Sequence, residues 1–115
     1  MTVKQRLART LVLAALTRGT RGGLLTVHEP DGTTHVLGED DPRAPLNARL
    51  EIHDDACWPG LTRGSLGLGV TYRAGAWSSP DLVALIRLAA RSIGALDELR
   101  TRIQPLLRPV QAEIF

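Results

Sequence analysis

The chain has 115 residues, 43% of them hydrophobic, and a formal net charge of +2, enough for one domain with a single core but not for two. Its lone cysteine, Cys57, excludes an internal disulfide framework and fits a reducing, cytoplasmic compartment. No apolar run reaches the roughly 18 residues of a membrane span, the stretch at 11–16 is too short and too close to Arg6 and Arg9 for a signal peptide, and four aromatic residues, Trp58, Tyr72, Trp77 and Phe115, argue against a nucleic-acid stacking surface.

Residues 2–18 read as a helix. Val3, Leu7, Leu11 and Ala14 recur at helical spacing, and Leu13 and Leu16 widen the apolar face. Thr2 with Gln5 fits a capping box, and Gly19 fits a C-terminal stop. Residues 1–28 carry five basic residues (Lys4, Arg6, Arg9, Arg18, Arg21) and no acid. An apolar helix face beside cations is the arrangement of interfacial helices, so Lys4, Arg6, Arg9, Arg18 and Leu11 are candidate contacts to a phospholipid surface or fatty acyl chain.

Residues 24–28 and 33–37 then form a hairpin around Glu29-Pro30-Asp31-Gly32, where proline presets φ and glycine tolerates φ > 0. Residues 38–45 are an acidic, proline-containing loop. Ala48, Leu50 and Ile52 alternate with Arg49, Glu51 and His53, the pattern of a half-buried strand. Asp54 or Asp55 caps a short helix that ends near Leu61. Residues 64–72 hold Gly64, Gly67 and Gly69, a poor regular helix by propensity and a segment suited to close backbone approach. Residues 76–78 are a short strand. Ser79-Pro80-Asp81 starts a helix, with serine at the N-cap and proline at N1, whose apolar face is Leu82, Leu85, Ile86, Leu88 and Ala89. Gly94 marks a break, residues 97–104 are helical again, and the chain ends in a linker or tail. The expected architecture is α+β: a small antiparallel sheet with helices packed on it over residues 1–93, followed by a helical linker at 94–115.

Few residues are placed for chemistry. His28 and His35 could face each other across the hairpin, but no third ligand completes a metal site. His53 and Cys57 make an i,i+4 pair only if one helix spans both; Cys57 reads better as a small buried residue. Glu39, Asp40 and Asp41 are consecutive in a loop and lack the separate environments that acid–base pairs need. Gly67-Leu68-Gly69 lacks the third glycine of a dinucleotide fingerprint, and no phosphate-loop lysine is present. No catalytic residue, metal ligand or cofactor site is assigned.

Leu50-Glu51-Ile52-His53-Asp54, residues 64–72 and residues 75–82 together resemble the N-terminal domain of cyclopropane-fatty-acyl-phospholipid synthases and related mycolic acid cyclopropane synthase-like methyltransferases. The family pattern is roughly L-x-I-x-D, a gap, then G-x-L-G-L-G-E-x-Y-M-x-G-x-W-x-S-P-D-L, and the resemblance covers most of residues 20–93. It marks Gly67, Gly69, Tyr72, Gly75, Trp77, Pro80 and Asp81 as structural motif positions. Val70, Arg73 and Ser78 depart from it where the family carries Glu, Met and often an acid. The resemblance implies a non-catalytic domain of sterol carrier-like fold that handles lipid and contacts a methyltransferase catalytic domain, in cis or in trans. Self-association and peripheral attachment at the inner membrane face are further expectations. A free-standing apolar-ligand carrier or protein-interaction module is the alternative.

Overall fold

The computed structural model describes residues 1–111. The first helix, α1 (Val3–Gly19), opens at Thr2, whose Oγ1 accepts from the Gln5 amide at 3.1 Å while Gln5 Oε1 accepts from the Thr2 amide at 3.0 Å. The expected capping box is therefore present. The inward face differs from the expected one: Ala8, Val12 and Gly19 are buried, whereas Val3 is 80% exposed and Leu7 41%. The inward stripe thus centres on a small residue, Ala8, which is fully buried, with Leu11, Leu13 and Leu16 partly buried against the core.

Strands β1 (Gly23–His28) and β2 (Thr34–Glu39) form the hairpin, with Gly32 at φ +92° and its amide bonded to the Glu29 carbonyl at 3.0 Å. The register pairs His28 with Thr34 and Val27 with His35. Alternation then sends the two histidines to opposite faces, so they do not face each other. Strand β3 (Asn47–Ile52) buries Ala48, Leu50 and Ile52, as the alternation predicts. It pairs with β1 in parallel, Leu24 opposite Asn47. An all-antiparallel sheet was the expectation. The parallel pair forms because β2 returns the chain to the start of β1, with Glu39 opposite Gly23. The acidic loop then has only to step past β1, and no crossover helix is needed.

The short α2 (Cys57–Leu61) and α3 (Ser65–Arg73) precede β4 (Trp77–Ser78), which pairs antiparallel with β3 and gives the order β2-β1-β3-β4. Asp54 Oδ1 accepts from the Ala56 amide at 2.9 Å, and Asp55 Oδ1 takes the Trp58 indole N–H at 3.0 Å. The aspartates thus hold the entry turn and the buried Trp58 rather than capping α2 directly.

The expectation against a helix at 64–72 is overturned: α3 is regular through Gly67 and Gly69. Tertiary contact outweighs propensity here. A Cβ on Gly67 would overlap the Gly60 carbonyl oxygen, while Gly69 has no neighbour within 4 Å. Close approach is confined to Gly67.

The last helix, α4 (Leu82–Gln111), has 30 residues and runs through Gly94 and Pro105 without the expected break. Asp81, not Ser79, is its cap, with Oδ1 accepting from the Ala84 amide at 3.0 Å. Residues 112–115 of the expected tail lie outside the described residues. Helices α1 and α4 lie against the buried face of the sheet, formed by Leu25, Val27, Ala48, Leu50 and Ile52. The opposite face is polar, with His28 bonded to Thr34 at 3.0 Å and to Arg49 at 2.9 Å. No helix among the described residues is long and apolar enough to cross a membrane.

Candidate functional site

Between α1, α4 and the sheet the core leaves a cavity of about 180 Å³. Its lining follows from helical periodicity. On α1, Val12, Ala15 and Leu16 face it, together with Leu11 on the shoulder. On α4 the wall is Leu85, Leu88, Ala89, Ser92, Leu96 and Ile103, which share one face of the helix. Leu25 and Leu50 form the floor, and Leu61 and Leu68 close the end beneath α2 and α3. The alanines leave the space: Ala15 and Ala89 stand where a larger side chain would fill it.

The rim is polar. Thr62, Gly64 and Ser65 from the α2–α3 junction meet Asp97 and Arg100 from the middle of α4. Ser65, Asp97 and Arg100 are exposed, so this end of the cavity reaches the surface. Arg100 Nε donates to the Thr62 carbonyl at 3.3 Å, which fixes the guanidinium against the rim. An apolar chamber with a charged edge suits an amphiphile whose chain enters and whose head stays wet.

The lipid-contact candidates on α1 separate into different environments. Arg9 is committed internally: Nε and Nη2 donate to the two carboxylate oxygens of Glu29 at 2.5 and 2.7 Å. His35 Nε2 lies 2.6 Å from the same carboxylate, whose side chain is only 2% exposed. These bonds, that of Arg9 foremost, hold the Glu29 carboxyl below the usual carboxylate range, against the burial that would raise it. The triad ties α1 to the hairpin. Arg6 and Arg18 are exposed and Lys4 is half-buried. Leu11 faces the cavity instead of the outside.

The motif positions hold up the cavity's far wall. Trp77 Nε1 donates to Thr71 Oγ1 at 2.9 Å and to the Leu68 carbonyl at 3.1 Å, and Thr71 Oγ1 donates to the Gly67 carbonyl at 2.7 Å. Tyr72 packs on Trp77 with ring centroids 4.9 Å apart. Gly75, at φ +76°, closes α3: its amide bonds the Tyr72 carbonyl, and the Ala76 amide bonds the Thr71 carbonyl. That pair of bonds is a Schellman motif, which requires the left-handed conformation glycine supplies. Asp81 caps α4, Pro80 precedes it exposed, and Gly69 faces open space. Five of the seven positions, Gly67, Tyr72, Gly75, Trp77 and Asp81, therefore act on α3, β4 and the start of α4.

Burial pushes the Cys57 thiol up to about 12, so at neutral pH it is not a thiolate, and His53 is bonded to Ser78 at 2.6 Å instead. Among the described residues no three His, Cys, Asp or Glu side chains gather as metal ligands do. Sequence reasoning missed Ala15, Ser92, Ile103 and Arg100. The signal was present for the α4 members, whose spacing continues from Leu85 to Ile103 once Gly94 is read as helical.

No family model matches the chain, and no solved structure matches it significantly. In a comparison with curated proteins it is 42% identical over 82 residues to tuberculostearic acid methyltransferase UfaA1 of Mycobacterium tuberculosis (strain ATCC 25618 / H37Rv). The match takes in 70% of this chain and 17% of that protein's length.

Proposed function

We propose that this chain, whose kinship with cyclopropane-fatty-acyl-type lipid methyltransferases that match shows, is a non-catalytic domain that holds part of an acyl chain for a methyltransferase catalytic domain. The observation that carries the reading is the apolar cavity of about 180 Å³ with its polar rim. An engineered cavity of about 150 Å³ binds benzene, so this one has room for about six to eight carbons of a single chain. The catalytic domain acts in cis or in trans. The chain's place as an N-terminal domain, a sterol carrier-like description of the fold and a cytoplasmic, membrane-peripheral location belong to the same proposal. The outer stripe of α1 supports the last point. Val3 and Leu7 are exposed near Arg6, with Arg18 exposed at the far end of the same helix, and each cation near an anionic leaflet adds about 1 kcal/mol.

Calorimetric titration of the 115-residue chain with decanoate tests the reading. Binding is expected in the wild type and is expected to vanish in Ala89→Phe and Ala15→Phe, which fill the cavity, while their melting temperatures stay at or above that of the wild type. Absence of decanoate binding to the wild type, together with absence of binding to anionic vesicles at low salt, would reject it in favour of a protein-contact module.

A further inference from the structure

We infer that the cavity mouth is a carboxylate site, in which Arg100 holds the head of a single-chain fatty acid whose first carbons lie in the cavity; this rests on the acyl-chain reading above. Two other arginines of α4 have partners of their own. Arg102 is paired with Glu98 at 2.7 Å, and Arg91 donates to the carbonyls of Gly22 and Ala44. Arg100 makes one bond, through Nε to the Thr62 carbonyl, and among the described residues it has no carboxylate partner. Its two terminal nitrogens are therefore presented at the rim, beside Gly64, with the side chain already ordered by the Nε bond. A guanidinium fork pre-set in this way matches a carboxylate, which accepts two parallel N–H bonds. The low-dielectric cavity on one side strengthens the pair relative to an open surface.

Two features narrow the ligand. The cavity volume admits one chain and not the two of a diacyl lipid. Asp97 shares the rim, one helical turn before Arg100. Its carboxylate raises the cost of a second negative charge, so the site favours a monoanionic carboxylate over a dianionic phosphate.

The test uses the 115-residue chain with octanoate, 1-octanol and inorganic phosphate, and with a series of carboxylates from butanoate to dodecanoate. Affinity should rise about fourfold per added methylene and level off near eight carbons as the cavity fills. Arg100→Gln should weaken octanoate roughly tenfold, leave 1-octanol unchanged and leave the melting temperature unchanged; Asp97→Asn should tighten octanoate. Octanoate and octanol both binding with no effect of Arg100→Gln overturns the carboxylate site while the acyl-chain cavity stands. Failure of both probes to bind the wild type overturns both. Arg100-dependent binding of inorganic phosphate as tight as that of octanoate also overturns the inference, because the site would then be an anion site indifferent to the chain.

Discussion

Replacing Gly67 and Gly69 singly by alanine should change stability in opposite directions, though the two lie two residues apart on one helix. Intrinsic propensity favours alanine by about 1 kcal/mol at either position. At Gly69 nothing lies within 4 Å of the new methyl group, so the propensity gain stands and the variant should be more stable by about 0.5–1 kcal/mol. At Gly67 the methyl lands on the carbonyl oxygen of Gly60, with Arg63 Cβ also close. Backbone cannot rotate aside as a flexible side chain can, so α2 must separate from α3. Overpacking of that kind costs about 1–3 kcal/mol and occasionally more, which exceeds the propensity gain. Because the new methyl overlaps backbone atoms outright, the cost falls at the top of that range, about 3 kcal/mol, and the net loss should be about 2 kcal/mol for alanine and larger for valine. At about 4–8 °C per kcal/mol for a domain of this size, thermal denaturation should place Gly67→Ala roughly 8–15 °C below wild type and Gly69→Ala a few degrees above it. Equal shifts for the two variants would refute the claim that α2 and α3 meet at Gly67.

Removing the Glu29 charge with Glu29→Gln should destabilise the fold by about 2–3 kcal/mol at pH 7, the lower end for a broken buried pair because Arg9 keeps partial access to water. The Glu29 carboxyl is held below its ordinary value, so its contribution is complete above about pH 4.5 and is lost as pH falls through the lower folded value; acid titration of stability should show that limb in the wild type and a flatter one in Glu29→Gln. Cys57, buried and pushed up to about 12, should react with a thiol reagent at pH 8 only as fast as the domain opens, and labelling at the rate of a free thiol would contradict its place in the core.

Much of the fold was legible because it is written in short-range chemistry. The capping box at Thr2 and Gln5, the Pro30–Gly32 turn and the alternation through Ala48, Leu50 and Ile52 each depend on neighbours within a few residues. The inward face of α1 was not. Leucine spacing pointed to Val3, Leu7 and Leu11, yet the fully buried residue is Ala8, whose small size carries little hydropathy signal. Gly94 looked like a break because local propensity is all a single helix turn reveals; packing of Leu85, Leu88, Leu96 and Ile103 along one face sustains α4 across it. The parallel β1–β3 pair depends on where the β2 return leaves the chain, which no strand pattern encodes. The motif residues were visible as a block, but their roles as the Trp77–Thr71 bond network and the Gly75 Schellman cap were not. The cavity was hidden for a further reason. It is the space that Ala15 and Ala89 leave between two helices, and an unfilled volume has no residue of its own to read.

The proposed function places an acyl chain between α1 and α4. Intermolecular nuclear Overhauser effects between decanoate methylene protons and the methyl groups of isotope-labelled protein test it most directly. Contacts to Val12 and Ala15 of α1 together with Leu85, Leu88 and Ala89 of α4 are the expected result. Contacts confined to surface methyls such as those of Val3, Leu7 or Val36, with none to the cavity wall, would place the chain outside the cavity and overturn the proposed function.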